Sequence, residues 1–381
     1  VLLASALLFA RSLRNLMTQD LGFRPQGVLV ANVDFTRLNL PAERRLPFQQ
    51  DLLARIRALP GVAAAANANR SPLSGSNWND VVLDAKSGSR GVTWITYNSP
   101  SYFKTLHMPL LAGRDFNEND STTAGKVAIV NVAFAKKYLG GMNAIGQRFR
   151  LWESPGQPEP FYTVVGIAGN SVYNDLHEKQ PGPSAYYPAA QRKNPNSSDT
   201  LLIRIGGGPA AERAAMPGLV REVTNTIGEV SPEISVEFKV LRTQIRERLM
   251  PDELMATLCG FFGGLAVLLA ALGLYGLLSY TVAQRTNEIG IRMALGAQRS
   301  RVVGMVLGEV GLLVGIGLAL GAGLTLAAGS AAGSLLFGLK PRDPLTLALA
   351  IVGLAAIALV ASLLPARRAS QLDPMVALRY E

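Results

Sequence analysis

Three long stretches of the chain carry no charged residue. They lie between Glu253 and Arg285, between Glu309 and Lys340, and between Asp343 and Arg367. Each exceeds the roughly 20 residues that an α-helix needs to cross a bilayer core. They predict transmembrane helices at about 256–283, 304–328 and 344–365. A fourth apolar run, VLLASALLFA at 1–10, is too short to span alone. Arg11 and Arg14 follow it, where a signal peptide would place small cleavage-site residues. Residues 1–16 are therefore read as the outer end of a first transmembrane helix whose start is missing.

Between these ends, residues 17–250 show mixed α/β patterning. GVLVANVDF, 27–35, alternates apolar and polar residues as a strand does. From Pro41 to Leu59, Leu46, Leu52, Leu53, Ile56 and Leu59 recur on one helical face, and Pro60-Gly61 stops the helix. VAAAANAN, 62–69, is a second strand. A matching unit follows much later: LLIRI at 201–205, a helix from Ala210 to Ile227, and ISVEFKVL at 234–241. These two units, 27–69 and 199–241, predict one split strand–helix–strand subdomain with a β-rich subdomain inserted at 70–198. Within the insert, 92–98, 126–131 and 161–170 are strand-like. A short helix carrying Phe134, Ala135 and Tyr138 follows the second of these, and 71–80 and 191–199 are loops. The polar stretch 243–252 predicts a helix leading into the first complete span, a stalk that Pro251 kinks or restarts. The expected fold class is thus a multi-pass α-helical membrane protein with a large extracytoplasmic α+β domain.

Charge sets the orientation. The loop 284–301 holds Arg285, Arg292, Arg299 and Arg301 against Glu288 alone, and the tail holds Arg367, Arg368 and Arg379. Lys and Arg collect in short cytoplasmic loops, so both regions are placed inside and 17–250 outside. Arg11 and Arg14 oppose this rule, which a large translocated domain overrides. The net charge of +10 then reports topology and lipid headgroups. No aromatic-basic module accompanies it, and nucleic acid is not an expected partner. The single cysteine, Cys259, excludes an intrachain disulfide and a cysteine zinc site.

Small residues at four-residue spacing let membrane helices approach closely. Gly260 with Gly264, Gly311 with Gly315, and Gly317 with Gly321 are candidate packing positions, as are Gly304 and Gly308. The cytoplasmic loop contains Glu288, Ile289, Gly290, Ile291, Arg292, Met293, Ala294, Leu295, Gly296 and Ala297. Glu288 precedes Arg292 by four residues, the favourable order for a helical ion pair. Ile289, Met293 and Ala297 share one side, and Gly296 can end the helix. The pattern predicts a short amphipathic helix, which alone fits a lipid-surface element as well as a docking element.

EIGIRMALGA, preceded by SYTVAQRTN, resembles the signature of FtsX-like permeases of MacB-type ABC transporters. LPARRASQLDPMVALRYE, 364–381, is similar to the C-terminus of that family. YFKTLHMPLLAGRDF (102–116) and VAIVNVAFAKKYLGGMNAIGQRF (127–149) are similar to segments of the MacB-type periplasmic core domain. The resemblance covers nearly the whole chain and extends to duplicated permeases, in which this chain would be the second half. It implies a permease domain at 251–381 in the bacterial inner membrane, with the large domain in the periplasm. It also implies a partnering cytoplasmic ABC ATPase docking on 288–297, and a second permease unit as homodimer or duplicated half. A periplasmic adaptor or substrate is a further implied partner. Function is then export or mechanotransmission, or, as an alternative, FtsX-like regulation of a cell-wall hydrolase.

No catalytic, cofactor or metal site is expected. GGMNAIGQR, 140–148, lacks the Gly-Lys-Ser/Thr ending of a phosphate loop. His107 and His177 have no ligand spacing and are read as surface or packing residues. Ser71, Ser74 and Ser76 lie in a turn sequence, Asp115 and Asp120 flank a loop, and Glu309 lies near the inner headgroups. A membrane-bound hydrolase would need a nucleophile–base–acid set that the chain does not display.

Overall fold

The computed structural model describes residues 1–74, 79–83, 90–151, 160–178, 180–192, 194–285, 291, 298–329 and 344–370. The chain divides into two compact units. One is Gln19–Arg248; the other joins Val1–Thr18 to Leu249–Glu381.

The unit Gln19–Arg248 is built on an 11-stranded sheet. β1 (Val28–Asp34) pairs antiparallel with both β10 (Ser198–Ile205) and β11 (Ser235–Val240), and β10 pairs with β2 (Val62–Ala68). Leu29, Ala31 and Val33 alternate along β1 onto one face, as period-2 geometry requires. There they meet Leu52, Leu53 and Ile56 of α2 (Ala42–Arg57) and Leu219, Val223 and Ile227 of α5 (Pro209–Val230). Glu43 in the first turn of α2, and Arg55 and Arg57 in its last, complement the helix dipole. Gly61, at φ +84°, supplies the left-handed turn into β2.

The remaining strands extend the same sheet. β4 (Arg90–Asn98), β3 (Asn79–Leu83), β7 (Arg148–Leu151), β8 (Phe161–Ala168), β6 (Val127–Asn131) and β9 (Ser184–Pro188) follow β2 in that order, and β5 (Leu110–Gly113) pairs with β8. The junction is narrow: β2 meets β4 through the single pair Ala68↔Asn98. Beyond it a second core forms around Phe134 of α4 (Val132–Tyr138), Phe149, Tyr162 and Tyr187. Ring centroids there lie 4.6 to 6.0 Å apart, the range in which aromatic pairs favour tilted contacts. α3 (Tyr102–Leu106) is one turn and a half, closed on both sides by left-handed residues, Ser101 and His107. α6 (Leu241–Arg248) continues directly from β11.

The other unit is helical: α1 (Leu2–Thr18), α7 (Met250–Gln284), α8 (Arg299–Gly329) and α9 (Pro344–Ser370). Pro251 stands in the first turn of α7, where its missing N–H costs nothing, so a fresh helix starts there. Among the described residues, two helical segments are long and apolar enough to cross a membrane, Met250–Gln284 and Leu345–Leu363; α8 holds a shorter apolar segment, Gly311–Ala327. The predicted span 304–328 lies within the continuous helix α8, Arg299–Gly329.

Candidate functional site

The helical unit carries the residues to which the sequence assigns function. α1 packs against α7 and α9, and α9 packs against α7 and α8. Gly263 forms the close approach: a Cβ there would lie 3.3 Å from the Leu2 carbonyl oxygen and 3.4 Å from Ala6 Cβ. The Arg11 guanidinium donates to Thr346 Oγ1 at 3.4 Å, joining α1 to the first turn of α9. Arg11, anomalous for loop charge, thus has a packing partner.

Most of α7 faces outward. Only Gly263 and Leu278 are buried, while Leu258, Phe261, Phe262, Leu265, Leu268, Leu269 and Leu272 are exposed. Apolar helix surface that the rest of the chain leaves uncovered belongs in lipid or in a larger assembly. The same holds along α8 at Leu312, Leu313, Ile316, Leu320 and Leu324.

Each candidate glycine, Gly260, Gly264, Gly311, Gly315, Gly317 and Gly321, faces open space, with nothing within 4 Å of an added Cβ. Gly304 and Gly308 do likewise. The contact within this chain is made by Gly263, which the four-residue spacing rule passes over: the small residue opposite it, Ala6, lies on another helix.

α7 ends at Gln284 and α8 begins at Arg299, so the amphipathic segment connects the ends of two apolar helices. Glu288, Ile289, Gly290, Arg292, Met293, Ala294, Leu295, Gly296 and Ala297 lie outside the described residues. Ile291 is described, and it is 49% exposed.

The sheet unit holds buried polar groups that sequence patterning did not single out. Arg204, 6% exposed, donates from Nη1 to the Gln26 carbonyl at 2.9 Å, from Nη2 to the Arg24 carbonyl at 2.6 Å, and from Nε to the Thr105 carbonyl. Asp199 accepts from Asn67 Nδ2 at 2.7 Å and from the Thr200 N–H at 3.0 Å. Burial pushes Asp199 up to about 7, against the opposing effects of those hydrogen bonds and of Arg192. Asp120, a predicted loop residue, takes both Arg114 Nη atoms, at 2.7 and 2.8 Å, and the Asn117 N–H at 2.9 Å. Asp115 accepts from the Phe116 N–H at 2.7 Å. His107 closes α3, and the His177 ring contacts Asp175 at 3.1 Å. Ser71 joins a hydrogen-bonded pair with Gln244, Nε2 donating at 3.1 Å. In the glycine-rich segment, the Gly146 N–H donates to the Val164 carbonyl at 2.8 Å, which ties that loop to β8.

A lipid-type helical unit and a separate mixed sheet unit in one chain match two family models. Residues 1–239 match the MacB-like periplasmic core domain, and residues 260–374 match the FtsX-like permease C-terminal domain. The chain belongs to the MacB/FtsX-like family of ABC transporter permeases. Members of this family are membrane permease components and generally non-catalytic.

Among relatives of this MacB/FtsX-like permease is the pyoverdine export ATP-binding/permease protein PvdT of Pseudomonas syringae pv. tomato. It is 26% identical over 320 residues, covering 79% of this chain and 46% of PvdT. The chain thus spans about half the length of the PvdT proteins it matches. The uncharacterized ABC transporter permease YknZ of Bacillus subtilis is 25% identical over 288 residues, covering 74% of this chain and 68% of YknZ. Among solved structures, the periplasmic region of MacB from Actinobacillus actinomycetemcomitans aligns over 60% of this chain and 95% of its own, at 11% identity and a TM-score of 0.38.

Proposed function

We propose that this MacB/FtsX-like permease is the membrane subunit of an ATP-driven export or mechanotransmission complex in the bacterial inner membrane. α7, α8 and α9 cross the bilayer, with α1 as a fourth helix, and the unit Gln19–Arg248 works in the periplasm. Hydrolysis of ATP belongs to a cytoplasmic ABC ATPase partner. Docking falls to the segment 288–297, where Ile289, Met293 and Ala297 form the apolar side. A second permease unit, a homodimer partner or duplicated half, packs on the glycines that face open space here, Gly260 and Gly264 foremost. Substrate or a periplasmic adaptor meets the sheet unit.

The observation that carries this reading is the junction of the two matched domains. Along the chain a MacB-type match at 1–239 is followed by an FtsX-type match at 260–374, in which the sequence joining α7 to α8 is basic and amphipathic. The name of the PvdT relatives pairs ATP-binding with permease and with export, which supports the ATPase partnership. The test is affinity purification of the full chain in mild detergent, with mass spectrometry of what accompanies it. Recovery of an ABC ATPase is expected. Recovery of a cell-wall hydrolase together with that ATPase moves the reading to the FtsX-like regulator. Recovery of neither, from correctly inserted protein, contradicts it.

A further inference from the structure

β1 turns Leu29, Ala31 and Val33 toward α2 and α5, so Val30 and Asn32 point to the opposite face. Cross-strand register puts Thr200 of β10 beside Asn32, and Lys239 of β11 beside Val30, on that same face. A recess of about 610 Å³ opens there, within the range of roughly 300–1,000 Å³ typical of small-molecule sites. Asn32, Thr200 and Lys239 line it from the sheet. Arg70 and Ser71 line it from the segment after β2, and Gln244, Glu247 and Arg248 from α6. All of them belong to the unit Gln19–Arg248.

The same face of β1 is apolar at Val28 and Val30, both fully buried, and turns polar at Asn32. The buried polar residues around the recess are paired, as burial requires. Thr200 Oγ1 donates to Asn32 Oδ1 at 3.1 Å, and Gln244 Nε2 donates to Ser71 Oγ at 3.1 Å and to the Pro72 carbonyl at 3.2 Å. Donors are left over. Asn32 is half-buried, and its Nδ2 hydrogens meet no acceptor among the described residues.

Three cations line the recess, Arg70, Lys239 and Arg248, against the single carboxylate of Glu247. Leu241, Gln244 and Ile245 form the buried stripe of α6. Arg248 continues that stripe, four residues past Gln244 and seven past Leu241. It thus lies on the side of α6 that packs inward, yet it has no hydrogen bond or ion pair among the described residues. Lys239 Nζ meets Glu237 Oε1 at 3.0 Å in an exposed pair, with which an incoming anion can compete. Arg70 is anchored through its backbone, where the Tyr173 hydroxyl donates to its carbonyl at 3.0 Å.

We propose that this recess binds a small, polar organic anion, whose carboxylate or phosphate group is held by Arg248, Arg70 and the Asn32 amide. Guanidinium forks match either group with paired N–H···O bonds, and the amide adds a donor without adding charge. The recess is much larger than one such group, and the rest of the ligand meets the polar lining at Thr200, Ser71 and Glu247. A ligand seated there ties α6 both to the sheet and to the segment that enters the insert. Binding rests on the sheet unit alone and does not depend on an ATPase partner.

Isothermal titration calorimetry of the full chain in an uncharged detergent tests this, with citrate and glycerol 3-phosphate as probes at constant ionic strength. Saturable binding of at least one probe, one per chain, is expected at or below millimolar concentration, and the tighter probe identifies the preferred anionic group. Arg248→Gln is expected to weaken that binding at least about tenfold, through loss of charge-assisted hydrogen bonds. Asn32→Asp keeps an acceptor for Thr200 but replaces the amide donors with a negative charge, and is expected to abolish binding. Arg44→Gln, which removes an exposed positive charge from α2 on the other side of the sheet, is expected to leave it unchanged. The thermal transition of each variant without probe shows that it is folded. Failure of both probes to bind the wild-type chain overturns the proposal without any variant. Equal weakening by Arg44→Gln and Arg248→Gln overturns it as well, since the probes then report only the overall positive charge.

Discussion

Gly263 of α7 lies against Leu2 of α1: a Cβ there would stand 3.3 Å from the Leu2 carbonyl oxygen, so even a methyl group makes the neighbour give by a few tenths of an ångström. Its neighbour Gly264 has nothing within 4 Å. Two adjacent glycines therefore have separable roles. Gly263→Leu overpacks the α1–α7 contact and is expected to cost about 1–3 kcal/mol, seen as a lower thermal transition in detergent. Gly264→Leu is expected to leave that transition unchanged and to reduce cross-linking between two permease units. Equal destabilisation by both substitutions contradicts the assignment.

Gly113 ends β5 at φ +78°, and a Cβ there would meet the Val165 carbonyl oxygen at 2.2 Å. Backbone atoms of β8 cannot give way cheaply. Gly113→Ala is expected to destabilise the sheet unit by at least about 1–3 kcal/mol from backbone strain alone. Gly125→Ala, with open space around it, is the control and is expected to be near neutral. Chemical denaturation of the two variants compares them.

Several elements were legible because their patterns are long. The alternation at 27–35 corresponds to β1, the face at 41–59 to α2, and 161–170 to β8. The short ones were not. β9 is buried at all five positions, so its sequence SAYYP shows no alternation. β5 and β7 have four residues each, too few for a period. α3 is bounded by Ser101 and His107 in left-handed conformations, which their residue types do not announce. Arg204 reads as the solvent position of a strand, yet it is buried among three carbonyls supplied from residues 24, 26 and 105. The Asn67–Asp199 contact is equally non-local. Membrane helices, by contrast, declare themselves by composition, while the packing of Gly263 does not, since its partner lies on α1.

Asp120 offers a pH test on the sheet unit. Burial alone would raise its carboxyl, but the Arg114 hydrogen bonds and the Asn117 N–H outweigh burial and hold it below 3.8. A carboxyl lower in the folded than in the unfolded state stabilises above its unfolded value. That contribution fades as pH falls through the folded one. Asp120→Asn is expected to cost about 1–3 kcal/mol at pH 7, and less at pH 3, where the unfolded wild-type carboxyl is already largely protonated. The measurement is the difference in unfolding midpoint at the two pH values; a constant difference contradicts the ionic role.

The central claim is that 288–297 transmits force between this permease and an ATPase. If Ile289 lies in that contact, its burial contributes roughly 1.5–3 kcal/mol, and Ile289→Asp also places a charge where water is excluded. Single changes at Glu288 or Arg292 are expected to matter less, since exposed pairs contribute at most about 1 kcal/mol. The direct measurement is ATPase co-purification and permease-stimulated hydrolysis, wild type against Ile289→Asp, at matched levels of inserted protein. Loss of both in Ile289→Asp is the expected result. If both are unchanged while the protein inserts correctly, the segment is only a lipid-surface element and the coupling assignment is contradicted.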